Sequence, residues 1–379
     1  MKGWYKAMKK LAVVFGVVLL MMVGCSDDGE QNGTSEDVRG LNLSYSRLVE
    51  SLMGGPVELI IYDVECTEDY RDERCDVLHE AFDLIFDMEA RWTVNSEGGE
   101  VQAINAMAGI EPVAVSADTF YLIEQGIHYA LYSDSDFNIA IGPLTGLWNI
   151  AMPGARRPGD EEIAAVLPLL DPRNVILDPV AQTVFLTEPG MALDLGGIAK
   201  GYMPDVVKAL FLENGITRGR LMVGGEVVAL DGRADGSPFR IGIRNPFFDG
   251  DYMTGDEYLV GNVPLFNQAM VTSGTYNRFL AHQDTQTFYH HIFDSHTGFP
   301  FESDIVSISI ISDTGLLGEV YTKIVFAMGI ERGLAYVEGR DDLEVLMIRE
   351  DGGIYISSGL QDDFNFTNTN GFYMRTPLN

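Results

Sequence analysis

Positive charge is scarce in this 379-residue chain: 25 Lys and Arg face 56 Asp and Glu, a formal net charge of −31. No segment gathers the few cations into a strongly basic patch, which argues against nucleic acid as a partner. Cysteine is scarce too, at 3 residues. Cys66 and Cys75 have no histidine or third cysteine at ligand spacing, so a disulfide closing a surface loop is expected in preference to a metal site. The apolar run Leu11 to Val23 is 13 residues long, short of the ~20 that a membrane-spanning helix needs. No repeat of 20–50 residues is evident. What the chain does have is 46% hydrophobic residues against 21% charged, enough to bury a sizeable core and to exclude disorder along its whole length.

Lys2, Lys6, Lys9 and Lys10 precede the short apolar run, and Gly24-Cys25 follows it. That order reads as an export signal over residues 1–24, and its resemblance to the bacterial lipobox implies lipidation at Cys25. The expected location is therefore outside the cytoplasm, anchored to a bacterial membrane and facing the periplasm or cell exterior. Residues 25–44 are polar and read as a flexible tether. From residue 45 to 379 no linker interrupts the apolar segments, so a single domain is expected.

Val77, Ala81, Leu84, Ile85 and Met88 recur at helical spacing, predicting a helix from Asp76 to Trp92. Ser116 reads as the N-cap of a helix reaching Tyr132, Tyr202 to Asn214 as a helix stopped by Gly215, and Thr314 to Met328 as another. Strand composition marks Pro56 to Asp63, Val184 to Thr187, Leu221 to Leu230, Phe239 to Arg244, Phe288 to Phe293, Ile305 to Ile311 and Leu343 to Ile348. Strands and helices do not alternate strictly, which favours an α+β fold over a doubly wound parallel sheet.

Several segments could carry chemistry. Asp194-Leu195-Gly196-Gly197-Ile198-Ala199-Lys200-Gly201 ends an extended run and opens a helix, where glycines admit a ligand and free N–H groups suit an anion. It matches neither a Walker A loop nor a dinucleotide fingerprint. Gly224-Gly225-Glu226 and Thr272-Ser273-Gly274, with Arg278 near by, read as pocket linings or as bulges and capped turns. His290, His291 and His296 surround Asp294 in a chain with 6 histidines. A zinc site, a general base oriented by a carboxylate and a polar turn all fit that cluster. Adjacent strand residues point to opposite faces, which favours the base over zinc.

Read in order, Ser51 to Gly55, Phe137 to Leu144, Asp194 to Gly201, Gly224 to Glu226, Thr272 to Gly274 and His291 to Pro300 resemble the ApbE family, the FAD:protein FMN transferases, over about Leu52 to Ile356. The resemblance implies a single ApbE-type, T-fold-like α+β domain with mixed or antiparallel sheets flanked by helices. It implies attachment of FMN from FAD to a Thr or Ser of an exported acceptor flavoprotein, with release of AMP and with Mg²⁺. By position it implies that Met53, Asn95, Asp136, Phe137, Asn138, Asp194, Lys200 and Phe293 contact FAD. It implies that His291 is the base, and that Gly197 (through its carbonyl) and Glu319 bind the metal.

One departure stands out. Members of that family place an Asp and, four residues on, a Thr at the metal; the matching positions here are Glu319 and Lys323. A protonated lysine is no ligand and competes with a cation. Either Thr322 supplies the missing oxygen, or Lys323 itself neutralises the pyrophosphate with weaker or no metal dependence. Ser295 stands where relatives carry proline, and is expected to loosen the turn after Asp294. Two other readings share these residues: hydrolysis of FAD to FMN and AMP, and an FAD-binding lipoprotein without turnover.

Overall fold

The computed structural model describes residues 31–36, 42–52, 55–62, 74–95, 97–248, 257–276, 278–281 and 288–375, with backbone alone for those up to residue 52. The signal segment, Cys25, Met53 and Cys66 lie outside the described residues. Cys75 is disulfide-bonded.

Residues Asn32–Asn379 form one compact unit. Among the described residues its main sheet has ten strands: β1 Gln31–Glu36, β2 Asn42–Leu52, β3 Gly55–Tyr62, β4 Gly219–Val223, β5 Glu226–Ala229, β6 Ala269–Gly274, β7 Ile305–Ser312, β8 Leu343–Arg349, β9 Gly353–Ile356 and β10 Tyr373–Met374. Their order across the sheet is their order along the chain. Neighbours from β2 to β9 pair antiparallel, while β9 and β10 run parallel. The helices are α1 Arg74–Trp92, α2 Glu100–Ala106, α3 Ala117–Tyr132, α4 Gly142–Trp148, α5 Asp160–Val166, α6 Ala199–Glu213 and α7 Gly315–Glu338. All of them enter as insertions between consecutive strands. This mixed layout is the expected α+β architecture.

Both faces of the sheet are covered, and the side-chain period of two shows it. On β8, Leu343, Val345 and Met347 join the core shared with the helices. The alternate residues Leu346 and Ile348 join a second core against the small sheet of Phe239–Arg244, Leu259–Leu265 and Asn365–Phe366. A third cluster gathers Leu144, Trp148, Ile163, Leu170 and Phe293.

The segment predicted as one strand, Leu221 to Leu230, is the hairpin β4–β5. Gly224 and Gly225 both take positive φ, at 63° and 109°, the geometry of a tight two-residue turn whose twist suits antiparallel strands. The helix expected to stop at Met328 kinks at Gly329 (φ 75°, ψ 176°) and resumes to Glu338; a glycine tolerates this excursion without ending the element. The expected tether holds β1 and the start of β2, which pairs with β3 from Leu52 opposite Gly55 to Tyr45 opposite Tyr62. Ladder hydrogen bonds need no apolar side chains, so composition did not reveal them.

One contact positions the site. A Cβ on Gly201 would sit 2.2 Å from the Gly315 carbonyl oxygen and 2.6 Å from Glu319 Cβ, so α6 and α7 touch backbone to backbone. Asp205 of α6 reinforces the contact by accepting from the Gly315 and Leu316 N–H groups at 2.7 and 2.8 Å, capping α7 from outside its own chain segment. Burial pushes the Asp205 carboxyl up to about 6, against those two hydrogen bonds.

Candidate active site

Lys200 lies in the first turn of α6, so the close approach at Gly201 delivers it to Glu319 on α7. Its Nζ pairs with Glu226 at the start of β5 and stands 3.5 Å from Glu319 Oε1. Lys323, one turn after Glu319, donates to that same Oε1 and, at 2.9 Å, to the Glu319 backbone carbonyl. Glu226 and Glu319 are 2% and 1% exposed. Lys200, Lys323, Glu226 and Glu319 thus form a tetrad around two buried carboxyl groups.

The charges shape one another. Burial raises Glu226, with the neighbouring Glu319 adding to the rise, up to about 7 in spite of Lys200. For Glu319 burial acts the same way, but Lys200 and Lys323 outweigh it and hold the carboxyl at about 2. Burial also lowers Lys323, with Lys200 beside it. Burial would lower Lys200 likewise, yet Glu226 and Glu319 reverse that and hold it well above the usual lysine range. Removing one member strands an uncompensated buried charge, a loss of about 3–5 kcal/mol.

His290 ends the strand Phe288–His290 and His291 lies just beyond it, and the two rings take different partners. His290 turns inward: its Nε2 meets the Phe301 carbonyl at 3.1 Å and its ring meets the edge of Phe326. His291 Nδ1 lies 3.2 Å from the Arg278 carbonyl. A carbonyl only accepts, so Nδ1 carries the proton and Nε2 keeps a free lone pair. Burial pushes the imidazole well below its ordinary value, and the positive charges of Arg278 and Lys323 push the same way. The orienting group is this carbonyl, and the expected carboxylate is elsewhere. Asp294 instead closes its own turn, accepting from His296 N at 2.8 Å and Thr297 Oγ1 at 2.9 Å. Ser295, beside it, is buried and accepts from Asn138 Nδ2 at 3.3 Å.

The remaining residues named from the sequence fall into three groups. Gly197 and Phe137 adjoin the tetrad: a Cβ on Gly197 would lie 3.6 Å from Phe137 Cε2 and 4.0 Å from Lys323 Cε. Asp194, Asn138 and Phe293 stand close in sequence to the site but are engaged within the protein. Asp194 accepts from Gly196 N and Thr145 Oγ1, both at 2.9 Å. Asn138 donates to the Leu170 carbonyl at 2.8 Å and accepts from Ala140 N at 2.8 Å, and Phe293 packs on Trp148 at 5.5 Å. Asp136 is half-buried, its carboxyl raised by burial ahead of Asp294 and Asp134, with His296 and Arg332 opposing. Asn95 is exposed after α1, its N–H donating to Thr93 Oγ1. The tetrad's fourth member, Glu226, belongs to the Gly224-Gly225-Glu226 motif, from which no ion-pairing role is expected. Its signal was an acidic residue opening the wholly buried strand Glu226–Ala229, which demands a counter-charge.

The donors do not fit a divalent cation. Thr322 is fully buried and turned away, accepting from Ser273 Oγ at 2.9 Å and donating to the Glu319 carbonyl at 2.8 Å. One Glu319 oxygen belongs to the two lysines. The other, Oε2, is buried with no hydrogen-bond partner among the described residues. Mg²⁺ demands near-octahedral oxygens at about 2.1 Å; here Glu319 would offer it one free oxygen, beside two ammonium groups.

A neutral imidazole, fixed positive charge and a glycine turn leading into a helix make a site for group transfer on a phosphorylated ligand. Residues 53–347 match the ApbE family. The FAD:protein FMN transferase of Klebsiella pneumoniae (strain 342) is 36% identical over 315 residues, 83% of this chain and 92% of that protein. That of Treponema pallidum (strain Nichols) is 30% identical over 298 residues, 75% and 80%. Among solved structures, the flavin transferase ApbE of Vibrio cholerae aligns with a TM-score of 0.70 at 25% identity, covering 85% of this chain and 99% of that one. The ApbE protein of Thermotoga maritima gives 0.74 at 24%, covering 84% and 99%, and so shares the fold. This chain belongs to the ApbE family.

Proposed function

We propose that the chain is an FAD:protein FMN transferase, moving FMN from FAD to a Thr or Ser hydroxyl of an acceptor flavoprotein. Relatives bearing that name at 30–36% identity support it. The observation that carries it here is His291, tied at Nδ1 to the Arg278 carbonyl and so presenting an unprotonated Nε2. In the reaction the acceptor oxygen attacks the phosphorus on the FMN side of the pyrophosphate and gives its proton to His291 Nε2. The bond from that phosphorus to the bridging oxygen breaks, and AMP leaves with the bond's electron pair. The developing charge falls on phosphate oxygens, which the fixed cations of the site can neutralise. The Mg²⁺ that the resemblance implies has no donor set here, and no step runs through it.

The same site with water as nucleophile would release FMN and AMP, so the acceptor decides the outcome. Lipid anchoring at Cys25 and export form part of the proposal, supported by the lysines, the short apolar run and Gly24-Cys25. The test incubates the full chain with FAD and a purified acceptor flavoprotein domain, then reads flavin fluorescence of the acceptor in a denaturing gel alongside AMP. Labelled acceptor with AMP is expected. AMP alone would assign a hydrolase, and bound FAD without AMP would assign a binding protein. His291→Ala should lower labelling by about 100-fold or more while leaving FAD affinity intact.

A further inference from the structure

The positions that the family resemblance assigns to the metal converge in this chain on a lysine nitrogen. Lys323 Nζ donates to two Glu319 oxygens, the carbonyl at 2.9 Å and the carboxylate Oε1. Its Cε lies 4.0 Å from where a Cβ would stand on Gly197, the residue expected to offer a carbonyl. Lys200 Nζ, 3.5 Å from the same Glu319 oxygen, places a second positive charge alongside. A side chain that brings its own charge thus stands where the resemblance implies an oxygen donor.

Resting on the flavin transferase reading above, we infer that Lys323, seconded by Lys200, occupies the divalent cation's place, so that FAD cleavage by this chain is metal-independent. A tethered ammonium differs from Mg²⁺ in two ways. It cannot be lost to a chelator, and it offers N–H donors to phosphate oxygens without asking for six oxygens of its own. Glu319 then has the task of holding the ammonium, which explains why its carboxylate faces two lysines. Arg278 adds a third cation, its charge reaching both Lys200 and His291. The rival reading treats Lys323 and Glu319 as a structural ion pair, with the unpartnered Glu319 Oε2 left for a metal. A glutamate with one free oxygen and two ammonium groups at the other is poor provision for a dication.

The experiment measures FAD affinity by flavin fluorescence, and AMP release in the presence of a purified acceptor flavoprotein domain, for the purified full chain in EDTA and in excess Mg²⁺. Equal rates in the two buffers, within about twofold, are expected, since a fixed charge replaces a dissociable one. Lys323→Met should lower AMP release by ~100-fold in EDTA, and Lys323→Arg, which keeps the charge, should recover most of it. The double change Glu319→Asp with Lys323→Thr installs the family's own residue types and should make AMP release depend on Mg²⁺. AMP release by the unaltered chain that vanishes in EDTA and returns with Mg²⁺ overturns the inference and leaves the transferase standing. Failure of the unaltered chain to bind FAD in either buffer overturns the transferase reading itself. The arms on the unaltered chain decide the matter even if a variant does not fold.

Discussion

The imidazole of His291 can take a proton only while it is neutral. Burial, Arg278, Lys323 and His290 all disfavour its charged form, and only the Arg278 carbonyl opposes them. A base whose pKa is depressed stays unprotonated as pH falls through the ordinary histidine range, so His291 should show no titration between about pH 5 and 8. Histidine-selective NMR checks this directly, and a midpoint near 6.5 would mean that the ring is solvated. At this scale the sequence was informative wherever a residue type was itself unusual. Lys323 could be read as a charge beside Glu319, and the two are ion-paired. Glu226 could not be read, because its partner Lys200 is 26 positions away. The same holds for Asn138, whose amide is used on Leu170 and Ser295, 32 and 157 positions distant.

Among the elements, the packing of α6 on α7 does most to build the site. Gly201 and Gly315 allow the two backbones to meet, and Lys200 and Glu319 come together as a result. Gly201→Val should force the helices apart, costing about 1–3 kcal/mol in stability and weakening FAD binding. Denaturant unfolding and flavin titration on one preparation check both effects, and an unchanged midpoint would show that the contact yields. Periodicity revealed α1 and α3 nearly to the residue, and the Ser116 cap is present, its side chain accepting from Thr119 N at 3.4 Å. It misplaced the start of α6 and the end of α7. Those boundaries are fixed by contacts between helices and by one kinked glycine, neither of which leaves a mark in apolar spacing.

For the molecule as a whole, the excess of acidic side chains should matter more than any single pair. A net charge of −31 repels itself, and added salt screens that repulsion over a Debye length of ~10 Å at 0.1 M. The thermal midpoint should therefore rise with NaCl, measured by circular dichroism; a falling midpoint would place the dominant electrostatics in attractive surface pairs. The α+β class was legible from the irregular alternation of elements. The strand order was not, because nothing local in a strand names its neighbour.

That order has a kinetic corollary. Because the sheet adds strands in the sequence in which they are synthesised, a growing chain can lay down β2 to β6 progressively, each new strand finding its neighbour already in place. The reactive centre enjoys no such head start. It draws on α6, on the β4–β5 hairpin and finally on α7, so it stays incomplete until synthesis has passed Lys323, and long-range closures of this kind slow folding. A polypeptide cut short before α7 would therefore lack Glu319 and Lys323, and with them half of the tetrad.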